Sequence, residues 1–302
     1  MTLKSSGPMF GRVITAMVTP LDSDGNVDFA AAEKLALHLA ENGSDGLVIS
    51  GTTGESATLT SDEKVELYSR ISEAVKGKAA VIAGTGSYNT RETIELSQKA
   101  KAAGADGLLL VAPYYNKPSQ EGLAQHFTAI ASAVDLPILL YNVPGRTVTN
   151  LEASTVVRLS ALSNVVGVKE ASKNLEQIAE IVRDTADDFL VYSGDDGTTL
   201  PTLAVGGVGV VSVISHVNGP DLQKMIAAFL AGDHALAVKL HGKSLALTQA
   251  LFSFPSPSPT KTALNLLGHL SQTTVRLPLI DATEAEREIV RKALDTYGLG
   301  AG

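Results

Sequence analysis

Short, nearly continuous apolar runs rich in Val, Ile and Leu recur at 13–18, 46–50, 79–83, 107–112, 137–143, 165–169, 189–193 and 208–214. A strand with one face in water alternates apolar and polar residues; a strand covered on both faces, as in a helix-flanked parallel sheet, does not. Longer amphipathic stretches separate the runs and open with helix-start signals. Thr60 with Glu63 and Asn89 with Glu92 have capping-box spacing, and Asn174 is a cap candidate after the sixth run. Asn42-Gly43-Ser44-Asp45-Gly46-Leu47 leads into the second run and is echoed by Ala103-Gly104-Ala105-Asp106-Gly107-Leu108 before the fourth. Each reads as a helix-terminating glycine followed by the start of a strand. Strand then helix, eight times over, predicts an α/β fold of the (β/α)8, or TIM, barrel class. The Gly-x-Gly-x-x-Gly of an open dinucleotide-binding sheet does not open the first helix.

Beyond about residue 218 the strand signal stops, and 220–230, 235–251, 261–267 and 284–294 read as helices. The expected organisation is a barrel over 1–217 that carries the reactive site and a C-terminal helical extension over 218–302. Ser253-Phe254-Pro255-Ser256-Pro257-Ser258-Pro259-Thr260 reads as an extended connector in the polyproline sense.

Composition narrows the function classes. The 302 residues, 44% of them hydrophobic, suffice for one large core. A formal charge of −8 without a long basic run leaves no electrostatic footprint for nucleic acid or an anionic membrane. With no cysteine there is no disulfide framework, thiolate nucleophile or sulfur-rich zinc site. Residues 1–11 lack a long apolar core and no apolar run reaches the roughly 18 residues of a membrane span, so a cytoplasmic location is expected. His38, His126, His216, His234, His241 and His269 are scattered without metal-binding spacing, and no Gly-x-Ser-x-Gly is present.

In a barrel of this class the reactive groups sit at the C-terminal ends of the strands. Here those ends are polar: Gly51-Thr52-Thr53-Gly54-Glu55-Ser56, Pro113-Tyr114-Tyr115-Asn116, Tyr141-Asn142-Val143-Pro144-Gly145-Arg146-Thr147, Lys169-Glu170 and Ser193-Gly194-Asp195-Asp196. Lys169 follows Val165-Val166-Gly167-Val168 and would enter a poorly solvated mouth, where burial disfavours the charged ammonium and leaves the neutral amine that imine formation requires. Gly167, two residues earlier, is expected to leave space beside the lysine stem. The competing reading is a surface lysine, or an ion-pair partner of Glu170, Asp195 or Asp196. Turning an imine of a 2-oxo acid into an enamine needs a proton relay, which Tyr141, Tyr115 and Thr52 could supply. Gly51-Thr52-Thr53-Gly54 could cradle a carboxylate on its backbone N–H groups, and Arg146 could grip a second carboxylate. Each of these has an ordinary structural counterpart: a core tyrosine, a plain turn, a loop arginine.

Together, Gly51-Thr52-Thr53-Gly54-Glu55, Pro113-Tyr114-Tyr115-Asn116-Lys117-Pro118, Tyr141 to Thr147, Gly167-Val168-Lys169-Glu170 and Ser193-Gly194-Asp195-Asp196 resemble the dihydrodipicolinate synthase family, and the likeness spans nearly the whole chain. The resemblance implies a class I aldolase-type reaction without metal or organic cofactor. Pyruvate forms an imine on Lys169, and its enamine attacks L-aspartate 4-semialdehyde to give 4-hydroxy-tetrahydrodipicolinate, a step of diaminopimelate and lysine biosynthesis. It further implies a relay of Tyr141, Thr52 and Tyr115, with Tyr115 delivered into a neighbouring subunit's site across a tight dimer, itself paired into a tetramer. Thr53 would hold the pyruvate carboxylate, Arg146 that of the semialdehyde, and the backbones of Gly194 and Val211 would line the pocket. N-acetylneuraminate lyase and the 2-keto-3-deoxy sugar acid aldolases look similar around the lysine and Tyr141 but typically lack the arginine. Two departures stand out. The segment around Ser256 and Ser258 replaces the family's usual Asn-Pro-Ile-Pro. A lysine-feedback site at Ser56, Ala57, Ser61, Lys64, Tyr88, Glu92 and Tyr114 would carry a resident cation at Lys64, which opposes a cationic ligand.

Overall fold

The computed structural model describes residues 7–300, so the first six residues of the 1–11 segment lie outside it. Eight parallel strands, β1 (Val13–Ala16), β2 (Gly46–Ile49), β3 (Ala80–Gly84), β4 (Gly107–Val111), β5 (Ile138–Asn142), β6 (Val165–Glu170), β7 (Leu190–Ser193) and β8 (Gly209–Ser212), close into a barrel in sequence order. Ile14 of β1 pairs with Val211 of β8 at the seam. Helices α1 (Phe29–Glu41), α2 (Ser61–Ala74), α3 (Thr90–Ala102), α4 (Gln120–Ala133), α5 (Pro144–Thr147), α6 (Ala153–Leu159), α7 (Leu175–Asp184), α8 (Thr199–Ala204) and α9 (Ser215–Leu230) follow the strands. The chain then adds α10 (His234–Leu251), α11 (Ser258–Leu266) and α12 (Glu284–Tyr297).

The apolar runs do not alternate because both faces of each strand are buried. Ile14, Ile82, Leu109 and Val211 fill the barrel interior. Their neighbours Val81, Leu108 and Leu110 face outward onto helix residues such as Leu67, Ile71, Phe127 and Ile130. Each such large side chain contributes roughly 1.5–3 kcal/mol by leaving water. Phe10 plugs the N-terminal end, where a Cβ on Gly107 would come within 2.5 Å of the Phe10 ring. Gly43 and Gly104, with φ of +93° and +92°, terminate α1 and α3 as their repeated setting implies.

The helix starts follow the sequence signals. Thr60 and Glu63 form a reciprocal capping box, and Asn174 caps α7 by accepting from Glu176 and Gln177 N–H. Asn89 accepts from Arg91 and Glu92 N–H, while its own N–H goes to Ser87 rather than to Glu92. The 253–260 segment differs from expectation. It is not an extended connector: Ser256 to Thr260 are buried and α11 begins at Ser258. Pro259 sits in the first turn, where a missing N–H removes no helical bond, so the proline-rich spelling hid a helix start. In α9 the backbone leaves helical geometry at Asn218, two residues before Pro220. Among the described residues no helix is long and apolar enough to cross a membrane.

Candidate active site

At the C-terminal ends of the strands lies a cavity of about 400 Å³, within the roughly 300–1,000 Å³ typical of small-molecule sites. Lys169 from β6 and Tyr141 from β5 are Cα partners in register, and the lysine Nζ lies 4.3 Å from the centre of the Tyr141 ring. Each is 6% exposed. The register slips just before this point: Ile138 pairs with Val165 but Leu139 with Gly167, so β6 has one extra residue there. Such an irregularity re-aims the residues that follow it.

The three carboxylates that could have made Lys169 a structural ion pair are all occupied elsewhere. Glu170 accepts from Asn142 and Gln177 amides and Ser172 N–H at 2.7–3.2 Å. Asp195 pairs with Lys173 at 2.8 Å, and Asp196 is bonded to Ser212, Val213 and Ile214. Burial raises the Asp196 pKa above the usual carboxylate range, with the Ser212 hydroxyl and two backbone N–H groups opposing it. Among the described residues, no carboxylate lies within ion-pair distance of Lys169.

Two expectations about glycines change. A Cβ on Gly167 would strike the Leu190 carbonyl at 2.3 Å and Leu139 Cδ2 at 3.0 Å, so the room it leaves is taken by barrel packing and not by the lysine stem. Gly194 has that task instead: its N–H donates to the Glu170 carbonyl at 2.7 Å, and a Cβ there would sit 3.1 Å from Lys169 Cγ and 2.6 Å from Ala171 Cβ. Neither Gly194 nor Val211 belongs to the cavity lining. Val211 lies deeper, 1% exposed in the interior layer.

The turn after β2 brings Thr52 and Thr53 to the wall, Thr53 buried and Thr52 exposed. Arg146, on the one-turn helix α5, lines the same cavity, and among the described residues nothing accepts a hydrogen bond from its guanidinium. Tyr115 does not join them. It is 90% exposed with φ of +72°, a conformation uncommon for a residue with a side chain, while its neighbour Tyr114 lines the cavity.

Of the feedback group, Ser56 and Ala57 also line the cavity; Tyr88 meets Tyr114 edge-on with ring centres 5.1 Å apart. Ser61 and Lys64 lie on the first turn of α2 and Glu92 on that of α3. Burial lowers the Lys64 pKa, opposed by the nearby charges of Glu63 and Glu92. Burial, then Tyr88 and Glu92, raise that of Tyr114. Among the described residues, no three His, Asp or Glu side chains are grouped to hold a metal ion.

Sequence reasoning gave no role to several residues here. Ser256, Pro278 and Leu279 come from the C-terminal part and roof the cavity. Glu55, also in the lining, forms an ion pair at 2.5 Å with Lys261 of α11, 206 residues away. Burial pulls the Lys261 pKa below the ordinary lysine value, with Glu55 opposing. No local period marks such a pairing.

The model of the dihydrodipicolinate synthetase family matches residues 9–297. The chain belongs to this family. It is 54% identical to the 4-hydroxy-tetrahydrodipicolinate synthase of Heliobacterium modesticaldum, over 97% of both chains. Among solved structures it superposes on a dihydrodipicolinate synthase from Bacillus anthracis with a TM-score of 0.93 and 52% identity, covering 95% of this chain and 98% of that one. The enzyme from Cyanidioschyzon merolae, solved with lysine bound, gives a TM-score of 0.95 and 51% identity, covering 97% and 99%. Membership in the family agrees with the closed barrel and with the motifs at its strand ends.

Proposed function

We propose that the chain is a 4-hydroxy-tetrahydrodipicolinate synthase, condensing pyruvate with L-aspartate 4-semialdehyde through an imine on Lys169. The observation that carries this reading is the buried Lys169 amine, free of any carboxylate among the described residues and 4.3 Å from the Tyr141 ring, in a cavity also lined by Thr52, Thr53 and Arg146. The amine attacks the ketone carbon of pyruvate, and loss of water leaves the imine. A proton then leaves the methyl carbon, the enamine carbon bonds to the aldehyde carbon of the semialdehyde, and cyclisation releases the lysine. Tyr141 and Thr52 carry protons in these steps, Thr53 and the turn's N–H groups hold the pyruvate carboxylate, and Arg146 binds that of the semialdehyde. The chemistry needs no metal or organic cofactor.

Tyr115 completes the relay from a second copy of the chain. Its 90% exposure and constrained backbone support this, since an aromatic ring fixed outward at the rim of one site suits a neighbour's. The working unit is then at least a tight dimer, and dimers pair into a tetramer.

Borohydride trapping tests the covalent step: pyruvate should leave an irreversible adduct on Lys169, and its absence would remove the reading. Rates with aspartate semialdehyde, N-acetylmannosamine and glyceraldehyde test the acceptor. A marked preference for the semialdehyde, lost in Arg146→Ala, is the expected result.

A further inference from the structure

The turn that brings Thr52 and Thr53 to the cavity ends at Glu55, whose φ of +58° is uncommon for a residue with a side chain. Such a conformation persists where the surroundings over-determine it, and they do so here. Glu55 N–H donates to the Thr52 carbonyl at 3.1 Å; Lys261 Nζ lies 2.5 Å from one carboxylate oxygen, and Arg276 N–H donates to the other at 2.9 Å. Lys261 also donates to the Thr274 carbonyl at 2.6 Å. The Glu55 and Lys261 side chains are each 1% exposed. Arg276 then holds the Thr58 carbonyl at 2.7 Å and the Gly25 carbonyl at 2.8 Å, and pairs with both oxygens of Glu63. One carboxylate therefore joins three segments: the turn forming the cavity wall, helix α11, and the stretch leading to Pro278 and Leu279 in the roof.

Replacing a buried ion pair by well-packed apolar residues is often neutral or stabilising, so a buried pair is weak evidence of a purely stabilising role. Directional bonds do what apolar contacts cannot, which is to fix the turn at one height relative to the lysine. We propose that Glu55 and Lys261 are positioning residues for the condensation: their pairing sets the Thr52–Thr53 turn and draws the roof segment over the cavity. The inference rests on the functional reading above.

The test compares Glu55→Gln, Lys261→Met and the double variant, each assayed well below its melting temperature. Either single change leaves a buried charge without its partner and lowers the melting temperature. The double variant carries neither charge and regains most of it. Its kcat nonetheless stays about 10- to 100-fold below the parent, the range that a small misplacement of positioning groups produces. The pyruvate KM rises and the borohydride-trapped adduct on Lys169 forms more slowly. Lys261→Arg, which keeps the charge pair, retains more activity than Lys261→Met. Parental kcat and KM in the double variant, or equal activity in Lys261→Arg and Lys261→Met, would overturn the proposal alone. A parent protein that forms no pyruvate adduct would overturn the functional reading and this inference with it.

Discussion

Tyr141 and Lys169 are Cα partners on adjacent strands, and the lysine amine lies 4.3 Å from the tyrosine ring centre. Parallel pairing points both side chains to the same face, so the register that closes the barrel also brings the amine beside the tyrosine ring. Tyr141→Phe keeps the ring beside the amine and removes only the hydroxyl proposed to carry protons. Its kcat should fall about 100-fold or more, in line with the loss of a general acid–base group, with a melting temperature close to parental. Parental kcat in stopped assays of pyruvate consumption would remove Tyr141 from the relay.

Gly194→Ala tests the packing of the lysine stem. The new Cβ would meet Ala171 Cβ at 2.6 Å and Lys169 Cγ at 3.1 Å, so one of the two must move. The expected cost is about 1–3 kcal/mol of stability from overpacking, together with a fall in kcat larger than the fall in folded fraction. Denaturant melts alongside kcat measurements read the two effects separately.

His216 makes stability depend on pH. Its Nε2 accepts from Val18 N–H at 3.1 Å and its Nδ1 lies 2.7 Å from the Val213 carbonyl, an arrangement that needs the neutral ring protonated on Nδ1. Burial drives its pKa from 6.5 down to about 4, with the Val213 carbonyl partly opposing. The folded pKa lies below the unfolded one, so this contribution is complete above about 6.5 and is lost as pH falls through about 4. Melting temperatures from pH 7 to pH 4 should decline more steeply in the parent than in His216→Gln, which does not titrate. Parallel curves would show that His216 is not a source of the acid sensitivity.

Feedback by free lysine should be weak. Lys64 already supplies a cation beside Glu63 and Glu92, the charges an incoming amino group would seek. Half-maximal inhibition should require more than submillimolar lysine, and Lys64→Met should bind lysine more tightly by calorimetry. Tight binding to the parent, unchanged in Lys64→Met, would show that the resident cation does not oppose the ligand.

Most of the architecture was legible in the chain itself. The run at 137–143 contains β5 with one extra residue at each end and the run at 165–169 is β6 short by one residue, because a strand covered on both faces announces itself by unbroken Val, Ile and Leu. The Thr60–Glu63 and Asn174 caps were readable for a similar reason: they join residues within one helical turn. The polar strand ends also pointed to Lys169, Tyr141, Thr52, Thr53 and Arg146, which do share one cavity. Tertiary structure alone decided that Leu190 and Leu139 fill the space left by Gly167 and that Gly194 borders the lysine stem. It alone also joined Glu55 to Lys261 and brought Ser256, Pro278 and Leu279 over the barrel mouth. Burial periodicity and capping are written in neighbouring residues, whereas packing and ion pairing between segments distant along the chain depend on shapes that exist only after the barrel has closed.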